Sequence, residues 1–218
     1  MLGEKHGIYQ KLKMKILMIG IKNEINMGRE AILKSVKENK PELLPLPEID
    51  ASIFQEVIDL TETFKNNVAL VGGHVIEIDK STIDDKIKVQ YPDKKHIVST
   101  TNLSSLGTIN VGPDTDPHHL EHIDLAIIEG ELGVSENGAI WVTASNSMVR
   151  ALPFITNDLV IILEKRNICL HMLEAYDSIS KRDRDFGVFI SGPSKTADIE
   201  QCLVVGAHGA MSLTVMLV

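Results

Sequence analysis

The chain is poor in cysteine, in cations and in long apolar runs. Two cysteines, Cys169 and Cys202, are too few for a disulfide framework, a four-thiolate zinc site or an iron-sulfur cluster, and they suit a reducing cytoplasm. No apolar stretch approaches the roughly 20 residues a membrane helix requires. The best runs, at 16–21 and 159–163, have the length of a strand. Lys11, Lys13 and Lys15 ahead of the first run imitate a secretion signal. That run is shorter than the roughly 7 to 15 residues needed, and no small-residue cleavage site follows. Residues 1–26 are therefore read as an extension, with no membrane insertion and a cytoplasmic location. Lys and Arg number 22 against 30 Asp and Glu, a net charge of −8 with His neutral. Binding along a phosphate backbone draws on clustered cations, so nucleic acid is not an expected partner.

What is present is ordinary globular material, 44% apolar and 24% charged over 218 residues. Such a chain forms one domain with a short appendage and buries roughly 70% of its unfolded surface without staples. Residues 27–39 are good helix formers with Ala31, Ile32, Ser35 and Val36 on one stripe. Pro41, Pro45 and Pro47 then forbid helix and stiffen a connector, so 27–47 reads as an N-terminal helix and spacer. Asp50 or Ser52 is placed to cap a second helix reaching about Lys65, with Ile53, Val57, Leu60 and Phe64 on its apolar stripe. Apolar runs then recur at 68–71, 97–98, 125–128, 139–142, 159–163 and 187–190. Runs apolar throughout suit strands covered on both faces. Helical patterns between them, at 169–181 and 196–201, point to an α/β domain over 48–218, a mainly parallel sheet flanked by helices. The polar stretch 79–95 reads as surface connection.

Three groups of residues offer chemistry. The strand at 187–190 runs into Ser191-Gly192-Pro193-Ser194-Lys195-Thr196 and then a predicted helix. That arrangement would set unpaired amides, hydroxyls and an ammonium at the carboxyl edge of the sheet, where anions bind. The spacing is not that of a nucleotide P-loop, and a plain strand-to-helix turn capped by Ser194 or Thr196 is the competing reading. His208, between Gly206 and Gly209, either faces this site or sits in a glycine turn. Second, Asn137-Gly138 between apolar stretches predicts a type I′ hairpin turn with both residues at positive φ. It would hold Glu136 at a strand end as a nucleophile or proton carrier. Third, His118 and His122 stand four apart after Pro117, as two metal ligands on one helix face do. The Glu that a zinc protease places between them is missing, so a solvated helix start is favoured and no metal site is assigned.

Ser135-Glu136-Asn137-Gly138 resembles the catalytic motif of family I CoA-transferases, whose glutamate forms a thioester with CoA. A wider resemblance rests on 190–200, on Leu203-Val204-Val205-Gly206-Ala207-His208-Gly209-Ala210, on Glu136-Asn137-Gly138-Ala139-Ile140 and on Leu152-Pro153-Phe154-Ile155. Together with Gly28-Arg29-Glu30-Ala31-Ile32-Leu33, these segments resemble the LUD domain of the LutC/YkgG lactate-utilisation proteins. Many relatives have Thr where Asn137 stands and Pro where Ala210 stands. The resemblance implies a fold of the NagB/RpiA/CoA-transferase type, a Rossmann-like parallel sheet with extra strands, and a part in oxidising L-lactate to pyruvate. It also implies work beside partner proteins that carry the iron-sulfur clusters, so that this chain needs no cofactor of its own. An accessory subunit binding a small anionic ligand at Gly192, Pro193, Ser194, Lys195, Thr196 and His208 is the favoured function. An acyl- or CoA-transfer enzyme using Glu136, and a carboxylate-sensing module, are the alternatives; a homo-oligomer is compatible with each.

Overall fold

The computed structural model describes residues 28–45, 47, 50, 53, 58–181, 186–197 and 203–218. Its contacts divide the chain into two units, Met1–Asp50 and Ala51–Val218. In the first unit, α1 (Arg29–Glu38) is the helix that the spacing predicts. Lys34 and Glu38 face each other at 3.7 Å one turn apart, and Ile32, Leu33 and Val36 are exposed.

The second unit opens with α2 (Leu60–Leu70), whose start is set by Asp59: its carboxylate accepts the N–H groups of Thr61 and Glu62 at 3.0 and 3.1 Å. The helix anticipated from Asp50 or Ser52 therefore begins later, and most of 51–57 lies outside the described residues. The run 68–71, expected as a strand, is the last turn of α2. Four apolar residues carry too little period to tell helix from strand. Gly73 donates to the Val68 carbonyl at 2.8 Å and Gly72 to that of Ala69 at 2.9 Å, the paired bonds of a Schellman ending.

From there the order is β1 (His74–Glu77), α3 (Ile83–Gln90), β2 (Ile97–Ser99), β3 (Leu125–Glu129), β4 (Leu132–Val134), β5 (Ala139–Thr143), α4 (Ala144–Ser147), α5 (Leu152–Ile155), β6 (Asp158–Leu163), β7 (Ile168–Cys169), α6 (Met172–Ser180), β8 (Gly187–Ile190), β9 (Lys195–Ala197), β10 (Leu203–Val205) and β11 (Ser212–Leu217). Five strands form a wholly parallel sheet in the order β1-β11-β6-β3-β2. This is the mainly parallel α/β sheet that the apolar runs imply, with the last strand of the chain inserted between β1 and β6.

Alternation along these strands builds two cores. Ala126, Ile128, Leu159, Ile161, Leu213 and Val215 face one way with Phe64 and Val68 of α2. On that face a second sheet, β7-β4-β5-β8, contributes Ile140 and Val142. Leu125, Ile127, Val160, Ile162 and Met216 face the other way and meet Ile83 and Ile87 of α3. Each fully buried aliphatic contributes roughly 1.5–3 kcal/mol. Residues 79–95, read as surface connection, thus include a core helix. Two buried positions among lysines and aspartates are too few to show a period. The helix expected at 196–201 is likewise replaced: Lys195–Ala197 is a strand antiparallel to β10, and 198–202 lie outside the described residues. Among the described residues no helix is long and apolar enough to cross a membrane.

Candidate functional site

The loop after β8 is shaped by its contacts with the end of α2. Gly192 sits at φ +72°, where a side chain is strained, and a Cβ there would lie 2.5 Å from the Val71 carbonyl oxygen. Lys195 Nζ donates a hydrogen bond to that same carbonyl. Ser191 Oγ donates to the Asn137 carbonyl at 2.9 Å, fixing the start of the loop to the β4–β5 turn. Its far side is tied to the segment before β11: Ser194 donates its N–H to Ala210 at 2.8 Å, and Gly206 donates to the Ser194 carbonyl at 3.0 Å. The His208 N–H reaches Ser194 Oγ at 3.3 Å.

These contacts leave a half-open cleft of about 460 Å³. Gly192, Pro193, Ser194, Lys195 and His208, five of the six residues proposed for anion binding, line it; Thr196, which pairs with Val204 in the β9–β10 hairpin, lies outside. Pro153 and Phe154 of α5, together with Leu159 and Leu213, supply apolar lining. Leu159 and Leu213 are the second residues of β6 and β11, so the cleft lies at the amino edge of the parallel sheet, not the carboxyl edge expected. The anion handle also changes character. Ser194 spends its amide on Ala210, and Thr196 faces Val204 in the hairpin ladder, so these two amides do not form an anion cradle. Among the described residues the cation lining the cleft is Lys195, and Ser194 and His208 line it too. The Val71 bond engages one of the three donors that an ammonium carries.

Glu136 lies outside that cleft. Its carboxylate accepts the Met172 N–H at 2.8 Å, satisfying a donor in the first turn of α6, and lies 3.6 Å from His171 Nδ1. The turn that holds it is not type I′. Only Gly138 has positive φ, at +66°, and the four residues 135–138 are closed by Gly138 N–H to Val134 O at 3.0 Å. Asn137 instead accepts the Ala139 N–H through its side chain at 3.0 Å. His118 and His122 do not share a helix face either. Pro117–Leu120 is a short 3₁₀ turn; His118 Nδ1 pairs with Asp116 at 2.8 Å, and the His122 ring meets His96 edge-on. Cys169 is half-buried, and burial pushes its thiol up to about 11, with Glu174 adding to the shift.

The sequence reading did not single out Phe154, which gives the cleft its aromatic wall; a phenylalanine left 41% exposed is visible only in three dimensions. It also missed a second cleft of about 320 Å³, at the carboxyl ends of β3 and β6, lined by Glu129, Glu131, Asn146, Glu164 and Arg166 among others. Thr101 donates to Glu129 and Thr143 to Glu131, the latter at 2.8 Å. The available signal was Glu129-Gly130-Glu131 directly after an apolar strand.

Residues 116–218, which contain both loops of the amino-edge cleft, match the LUD domain. The chain is 27% identical over 173 residues to lactate utilization protein C of Geobacillus sp. (strain WCH70), spanning 74% of this chain and 69% of that protein. It is 24% identical over 179 residues to lactate utilization protein C of Exiguobacterium sp. (strain ATCC BAA-1283 / AT1b), spanning 73% and 78%. With lactate utilization protein C of Bacillus subtilis (strain 168) the identity is 30% over 105 residues, 45% of this chain and 43% of that one. Among solved structures, a DUF162 family protein from Deinococcus radiodurans shares the fold at a TM-score of 0.55 and 15% identity, over 72% of this chain and 95% of that chain.

Proposed function

We propose that the chain is a lactate-utilisation protein of the LUD-domain family, the accessory subunit of an assembly that oxidises L-lactate to pyruvate; residues 116–218 match the LUD domain. The observation that carries this reading is the similarity to lactate utilization protein C over 173 residues. Two cysteines fall short of the four thiolates that [2Fe–2S] and [4Fe–4S] clusters ordinarily take. Electron transfer is therefore assigned to cysteine-rich partner proteins, and this chain holds an anion at Lys195 in the amino-edge cleft. Acyl transfer through Glu136 has no support in the geometry, since that carboxylate serves α6 and stands apart from the cleft.

The test is co-purification from lactate-grown cells of the host. Cysteine-rich partners should be retained with the chain, and its deletion should abolish growth on lactate. A chain recovered alone, with growth on lactate intact after deletion, refutes the assignment. Calorimetry with L-lactate and pyruvate, repeated on Lys195→Gln, tests the anion site separately.

A further inference from the structure

We propose that the amino-edge cleft takes an amphipathic monocarboxylate, its carboxylate on Lys195 and an apolar body of several carbons over Phe154, Pro153 and the ends of β6 and β11. The inference rests on the reading of Lys195 as the anion holder and extends it to the rest of the ligand. Size is the first reason. At about 460 Å³ the cleft falls within the roughly 300–1,000 Å³ of sites that enclose drug-sized molecules. A three-carbon acid fills a small part of that space and leaves the aromatic wall wet.

Charge is the second reason. Among the described residues that line the cleft, Lys195 is the one lysine or arginine, and none is Asp or Glu. A single ammonium balances a single negative charge. It is a point charge, without the planar fork that selects phosphate or a second carboxylate. The third reason is the division of labour around the rim. The polar groups come from Ser191, Ser194, Lys195 and His208, on the loop after β8 and the segment before β11, whereas the apolar lining includes Phe154 of α5 and Leu159 and Leu213 at the strand starts. Phe154 is 41% exposed although its neighbours Leu152 and Pro153 are buried. A ligand with a charged end and an apolar body covers that ring and meets the ammonium at once.

Calorimetry on the full chain with acetate, L-lactate, butanoate, hexanoate and octanoate tests this directly, with 1-octanol as the uncharged control. Affinity is expected to rise about two- to fourfold per methylene from butanoate to octanoate, as apolar surface leaves water. Phe154→Ala should flatten that rise, and Lys195→Gln should weaken every carboxylate at least about tenfold. Circular dichroism of both variants establishes that they fold. A flat series that still depends on Lys195 overturns the apolar-body inference and leaves the anion site standing. A rising series indifferent to Lys195→Gln, or 1-octanol bound as tightly as octanoate, overturns the carboxylate end and the anion reading with it.

Discussion

Lys195 Nζ donates a hydrogen bond to the backbone carbonyl of Val71, a residue 124 positions away that ends α2. Gly192 backs onto the same carbonyl. One helix terminus therefore shapes both the loop and the direction of its only lysine. Carbonyls at a helix C-terminus carry partial negative charge, so the ammonium is held there with no carboxylate partner among the described residues.

Gly192→Ala should accordingly damage fold and site together. The residue sits at φ +72° and its new methyl would lie 2.5 Å from the Val71 oxygen. A cost of about 1–3 kcal/mol is expected in urea unfolding. Carboxylate affinity should fall as well, because the loop must retreat from α2 and take Lys195 with it. Wild-type stability would show that the contact is relaxed at no cost.

Glu136→Ala should act on α6 and not on chemistry. Removing the acceptor of the Met172 N–H leaves a first-turn donor to water, a loss of about 1 kcal/mol by analogy with helix caps. Intact-mass analysis of the wild-type chain after incubation with acetyl-CoA should show no adduct. A covalent acyl or CoA adduct absent from the variant would restore the acyl-transfer reading.

Phe64→Ala should be the most destabilising of these substitutions. Phe64 is fully buried between α2 and the two sheets, with Leu163, Ile168 and Ile140 in the same cluster. Truncating a buried phenylalanine costs about 3–5 kcal/mol. Denaturant unfolding followed by Trp141 fluorescence measures it.

Cys169 should resist alkylation in the folded protein. Burial, with Glu174 nearby, raises its thiol to about 11, so little thiolate forms at pH 8. Iodoacetamide labelling mapped by mass spectrometry should modify Cys169 slowly in buffer and rapidly in guanidinium chloride. Equal rates in the two conditions would contradict the placement.

Glu77 supplies the pH dependence. Lys165 at 2.6 Å and Lys65 at 2.7 Å both bond its carboxylate and lower it to about 2 from 4.5. A depressed carboxylate contributes stability that is complete above its unfolded value, 4.5. That contribution is lost as pH falls through the folded value, about 2. Carbon-detected NMR titration should place the midpoint of Glu77 well below those of exposed glutamates. Glu77→Gln should flatten the acid limb of the stability profile.

Much of the fold was legible residue by residue, because strands covered on both faces are apolar throughout. The runs 125–128, 159–163 and 187–190 became β3, β6 and β8, and 169–181 became α6. Where local signals misled, tertiary packing had overridden them. Ile83 and Ile87 are a helix face only because the sheet lies against them. Lys195–Ala197 is a strand only because 203–205 pair with it. β11 went unread although it lies between β1 and β6.

The sequence by itself determined the α/β class and the loop 192–195 with His208 as a place where polar groups gather. Periodicity, donor counts and glycine positions are local properties, and they survive without coordinates. Only the tertiary structure decided which edge of the sheet that loop occupies, that Ser194 spends its amide on Ala210, and that Glu136 belongs to α6. Those outcomes depend on contacts between segments far apart in the chain, and the spacing of residues along one segment carries no information about which distant carbonyl its donors will meet.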